Sequence, residues 1–143
     1  MNQRLHPGDH PDVAENINNV GLCLDSLGRW GEARPKFEGA LAMLERVYKG
    51  DHPATAEALQ NLAGCMSRMG RSAEALPKLE ASLAMRQRYY KGDHSEVARG
   101  LNNLAGCLKE LGRPLEALPR FQEALAMRQR IYKGDHPSVA TSL

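Results

Sequence analysis

The stretch Gly8-Asp9-His10-Pro11 returns as Gly50-Asp51-His52-Pro53, as Gly92-Asp93-His94-Ser95 and as Gly134-Asp135-His136-Pro137, 42 residues apart each time. A fixed period of this length marks a repeat array, in which each unit buries its apolar face against its neighbours. Residues 50–91 and 92–133 share about 24 identical positions out of 42, so the period extends over whole units and not only over the motif. The chain therefore divides into three full units, 8–49, 50–91 and 92–133, with partial units 1–7 and 134–143, in one array without a linker.

Inside a unit the apolar residues form two helical stripes. Val13, Ala14, Ile17, Val20, Gly21, Leu24 and Leu27 follow a period near 3.6, which predicts a first helix, A. Gly28, Gly70 and Gly112 stand just beyond it, and glycine accepts the left-handed backbone that closes a helix. Ala33, Phe37, Ala40, Leu41, Leu44 and Val47 predict a second helix, B. Two or three residues join A to B, so the two are antiparallel neighbours. The His-Pro pairs suit a helix start, where proline lacks only an N–H that would be unpaired anyway. Pro35, Pro77 and Pro119 sit early in helix B at one phase and predict either a bend or a late helix start. Nothing reads as a strand, and the fold class is all-α.

Composition excludes several functions. The 143 residues make one domain-sized array, too small for a multidomain enzyme. Nineteen Lys and Arg against seventeen Asp and Glu leave a net charge of +2, which is no signature for nucleic acid. No run suits a membrane span, and Met1-Asn2-Gln3-Arg4-Leu5-His6 has no signal-peptide core. The expected address is cytoplasmic, or extracellular if the chain is a fibre subunit. Three cysteines are an odd number for a disulfide framework.

Leu101-x2-Leu104-Ala105-x2-Leu108-x3-Gly112-x4-Ala117-x3-Phe121-x2-Ala124-Leu125 resembles the tetratricopeptide repeat pattern of small and large residues. The 42-residue unit, the Leu-Asn-Asn-Leu-Ala run at 101–105 and the Gly-Asp-His-Pro loop are similar to the kinesin-light-chain-type subgroup. The resemblance implies a right-handed superhelical solenoid of antiparallel helix pairs. It also implies a non-enzymatic binding scaffold whose A helices line a concave face, with asparagines there contacting the backbone of an extended peptide. On this reading Asn18, Asn19, Gln60, Asn61, Asn102 and Asn103 are groove residues, since an amide both donates and accepts. The alternative use of these amides is to hold one helix against another. Glu15, Glu57 and Arg99 stand one turn before them, and Asp25, Ser67 and Lys109 beyond them. The sign changes along the array, so a uniformly basic cradle is absent. Gly64 and Gly106 leave room in the presumed groove.

Other candidates read as structural. Equivalent positions in stacked repeats lie about 10 Å apart, too far for the four Asp-His pairs to share a metal or for Cys23, Cys65 and Cys107 to form disulfides. The histidines read as helix caps, and no cofactor or metal is expected. The basic residues ending each helix B, among them Arg46, Arg86, Arg88, Arg128 and Arg130, with Tyr48, Tyr90 and Tyr132 beside them, read as an edge stripe that complements the helix dipoles. Val139, Ala140 and Leu143 continue an apolar stripe with no helix B to cover it. They are candidates for head-to-tail assembly with copies of the chain, unless the sequence is an excerpt of a longer array.

Overall fold

The computed structural model describes residues 7–135, with side chains to residue 133. Among them run six helices: α1 (Pro11–Ser26), α2 (Trp30–Val47), α3 (Pro53–Arg68), α4 (Ser72–Tyr89), α5 (Ser95–Glu110) and α6 (Pro114–Asp135). The odd-numbered helices are the A helices of the repeat and the even-numbered ones the B helices. Each A packs on its own B, each B packs on the next A, and α3 also touches α1 and α5. Three A helices thus lie side by side along one face.

Helix starts and stops follow from local chemistry. His10, His52 and His94 are extended N-caps, and the Nδ1 of each accepts the N–H two residues on at 3.0 Å, as expected of a polar cap. A ring nitrogen that accepts in this way leaves Nε2 as the donor of the ring. At the far end of α1, Gly28 has φ +77°; its N–H donates to the Asp25 carbonyl and the Arg29 N–H to that of Leu24. This paired closure repeats after α3 and α5. Helices α2, α4 and α6 begin five residues before Pro35, Pro77 and Pro119. A late helix start is thereby excluded, and each proline stands in the second turn.

The core runs the length of the array. Phe37, Ala40 and Leu44 of α2 are almost wholly enclosed, as are Leu62, Ala63 and Met66 of α3 and Leu101, Leu104 and Ala105 of α5. Cys65 and Cys107 are buried, and their thiols face the carbonyls of Trp30 and Ser72 at 3.6 and 3.3 Å. Burial pushes both thiols up from their ordinary value, which keeps them protonated and unreactive. Cys23, at the same phase on α1, is exposed because no described helix precedes it. For the same reason Val13 and Val20 are exposed, while Thr55, Val97, Leu62 and Leu104 at the matching phases are buried. At the opposite end Leu115, Leu118 and Leu125 of α6 are open. Residues Val139, Ala140 and Leu143 lie outside the described residues.

Candidate functional site

The three A helices build a groove made of two adjoining cavities. The first, about 360 Å³, is lined by Pro11, Asp12, Glu15, Asn18, Asn19 and Leu22 on α1, by Leu44 and Tyr48 at the end of α2, and by Ala54, Glu57 and Asn61 on α3. The second, about 400 Å³, takes Gln60, Asn61, Gly64, Ser67 and Arg68 from α3, Leu79 from α4, and Asn102, Asn103, Gly106, Cys107 and Glu110 from α5. Asn61 stands in the wall of both, so the two cavities adjoin at this side chain. A Cβ built on Gly106 would meet no atom within 4 Å, and one on Gly64 would meet only the end of the Arg68 side chain at 3.1 Å. These glycines therefore leave open floor, as the sequence implied.

The predicted amides do not all play one part. Gln60 accepts a hydrogen bond from Nη1 of Arg86, tying α3 to α4. Asn61, one residue on, has no such bond and faces the groove. In this unit Gln60 ties helix to helix, while Asn61 is left in the cavity wall. Glu57 and Arg99 face each other at 3.6 Å across the α3–α5 line. Lys109 is exposed on the last turn of α5 and lines neither cavity. Sequence reasoning missed Asp12, Leu22, Tyr48, Arg68 and Glu110 as lining residues. Arg68 was legible only with the repeat offset, because its guanidinium pairs with the Asp25 carboxylate of the preceding unit, Nε to Oδ1 at 2.9 Å.

The basic stripe of helix B takes a different form from the expected one. Arg46, Arg88 and Arg130 reach back to the loop aspartates of their own units, Asp9, Asp51 and Asp93, in two-pronged ion pairs at 2.7–2.9 Å. Their charge thus clamps the unit closed, where the sequence suggested an answer to the helix dipole. Arg86 is not on the edge at all: it is 1% exposed, with Nη2 at 3.3 Å from Glu96. Leu44 fills the same phase one unit earlier. The tyrosines close the joints between units. Tyr48 stacks on His52 with centroids 3.5 Å apart, and Tyr90 on His94 at 3.6 Å.

This joint carries a pH dependence. Burial lowers the His52 imidazole below its ordinary value of 6.5. The folded state therefore binds fewer protons there than the unfolded one, so the contribution is complete above that value and is lost as pH falls through the folded value. Hydrogen bonds from Arg88 and Arg130 hold Asp51 and Asp93 below the ordinary carboxylate value of 3.8, so their share is lost only in stronger acid. Thermal melts should show a first loss of stability as the pH falls below about 6.5. His52→Asn, which keeps a capping acceptor, should flatten that step and leave the loss in stronger acid in place.

Among the described residues no three His, Cys, Asp or Glu side chains are placed to hold a metal, and no helix is long and apolar enough to cross a membrane. Compared with known proteins, the chain matches the family model for the tetratricopeptide repeat over residues 12–88, 67–129 and 96–143. No curated protein sequence matches it. Several solved structures share the fold. Nearly identical TPR-like repeats from Podosopora anserina, assigned to a kinesin light chain, superpose with TM-score 0.80 at 21% identity over 91% of this chain and 62% of that one. BtubC (BKLC) from P. vanneervenii gives 0.81 at 22% over 90% of this chain and 51% of its own. The TPR domain of Arabidopsis FLU gives 0.69 at 20% over 82% of this chain and 95% of that domain. The chain thus spans about half to two thirds of the length of the two kinesin-light-chain-like structures.

Proposed function

From the premise that the chain belongs to the tetratricopeptide repeat family, we propose that it is a non-enzymatic scaffold holding an extended peptide along the groove of its A helices. The fold itself is one of protein interaction and leaves the site to be argued from its residues. What carries the reading is the meeting of the two cavities at Asn61, with Asn18 and Asn19 on one side and Asn102 and Asn103 on the other. An extended peptide presents N–H and C=O groups in alternation, and a row of carboxamides can satisfy both without demanding a sequence. The partner is a protein or peptide segment, and neither nucleic acid nor insertion into a membrane belongs to this reading.

Replacing Asn61 and Asn103 together by Ala should weaken binding of a peptide selected on the intact chain about tenfold or more, each lost bond being worth about 0.5–1.5 kcal/mol. Helicity by circular dichroism should not change. Unaltered affinity would exclude the carboxamides from the contact.

A second reading has its own observation. The apolar faces left open on α1 and α6 carry the phases that meet inside the chain at the α2–α3 and α4–α5 joints, so copies could stack end to end. That reading requires a molar mass that climbs with concentration in light scattering.

A further inference from the structure

We propose that a second copy of the chain docks on the open face of α6, its α1 standing where a next A helix would stand, with Arg128 and Arg99 paired to Asp12 and Glu15 of the arriving copy. This rests on the end-to-end reading above and names the contacts that set its register. The apolar phases already match. At the internal joints Leu41 and Leu83 of the B helices and Leu62, Val97 and Leu104 of the A helices are buried, whereas Leu125 on α6 is 59% exposed and Val13 and Val20 on α1 are open. Leu83 faces α5 directly, since a Cβ built on Gly100 would lie 3.2 Å from its Cδ1. Leu125 holds the same phase one unit on, and among the described residues no helix follows to cover it. A copy that adds in this register prolongs an interface the chain already builds twice.

Charge selects this occupant. In the α4–α5 joint Arg86 of the B helix meets Glu96 at 3.3 Å, and Glu57 of one A helix meets Arg99 of the next at 3.6 Å. Moved on by one 42-residue unit, these two pairs put Arg128 and Arg99 on the tail face of the array, opposite sequence positions 138 and 141. Ser138 and Thr141 at those positions carry no charge, whereas the first unit of a copy presents Asp12 and Glu15 at the same two phases. Both acids are exposed, and Arg128 is half-buried with no ion pair among the described residues. Arg99 already reaches Glu57 and Glu96, and the five donors of a guanidinium leave room for a third acceptor. Asn16 of the copy adds another acceptor. It holds the phase of Gly100, where a Cβ would lie 3.7 Å from Nη1 of Arg86, so its amide oxygen arrives beside the guanidinium of Arg128.

The test is the molar mass of the whole chain by light scattering at rising concentration and low salt, with helicity checked by circular dichroism. The mass should climb above 15.8 kDa. Arg128→Glu and Asp12→Lys should each weaken the association about tenfold or more. Arg128→Glu takes the formal net charge from +2 to zero, which by itself favours association, so a fall in mass reports a specific contact. Lys91→Glu, the same charge change at an exposed residue between α4 and α5, should leave the association as it was. Mixed in equal amounts, the two weakened variants should recover it, because the tail of each then meets a head of opposite charge. Mass that climbs equally in both variants, or that does not recover on mixing, would overturn these contacts and leave end-to-end stacking in place. Mass that stays near 15.8 kDa at every concentration in helical protein would overturn both.

Discussion

Phe37→Ala should cost the array about 3–5 kcal/mol in chemical denaturation, the range for emptying a packed aromatic site. The ring is fully enclosed at the centre of the first unit, and its fit is specific. A Cβ on Gly21 would lie 2.8 Å from Cε1 of Phe37, so α1 has no side chain where α2 has its largest fully buried one. One unit later the same two phases hold Ala63 and Leu79: as the A helix gains a methyl, the B helix gives up ring volume. Gly21→Ala alone should therefore destabilise by about 1–3 kcal/mol through overpacking. Gly21→Ala with Phe37→Leu, which copies the second unit into the first, should recover most of that loss. A double variant no better than the sum of its parts would show that the two positions are not coupled in this way.

Glu96→Ala should be the costliest change among the charged residues, about 2–3 kcal/mol, because it strips the guanidinium of the buried Arg86 of its nearest anion. Gln60 would still accept from Nη1, but Nε and Nη2 already lack hydrogen-bond partners, and an uncompensated buried charge is expensive. Arg86→Leu should be close to neutral. It places in the second unit the residue that the first unit uses at that phase, Leu44, which is 2% exposed there; apolar replacement of a buried ion pair commonly costs nothing. In the Glu96→Ala background, Arg86→Leu should restore most of the stability. Failure of that rescue would mean that Glu96 acts through the start of α5, where it is an acid in the first turn and favours the helix dipole, and not through Arg86.

The period and the stripes carried the fold because both are local and repeated: glycine at one phase, His-Pro at another and apolar spacing between them specify where each helix starts, stops and faces. Cap chemistry was equally legible, since His10, His52 and His94 act on backbone two residues away. Pairings across 37 residues, such as Arg88 with Asp51, were not. Both residues stand out in the sequence, but as separate stripes, because a spacing in sequence does not say which phases of two antiparallel helices meet. Arg86 was misplaced for a related reason. Charge suggests a surface, and only the packing of α3, α4 and α5 shows that this phase points inward. The groove was half legible: the amides and glycines belong to the A helices and follow their period. Leu44, Tyr48 and Leu79 join it from the B side, where no period of helix A reaches them.

That the A-helix groove is the interaction surface is tested most directly by 15N-resolved NMR of the whole chain, titrated with a peptide selected on the intact chain. The side-chain amide signals of Asn61, Asn102 and Asn103 and the backbone signals of Glu15 and Gly106 should move together and saturate at one peptide per chain. Val20 of α1 and Leu118 of α6, on the open end faces, should stay in place. Shifts confined to those end faces, with the asparagine amides unmoved, would contradict the account and make the ends of the array its binding surfaces.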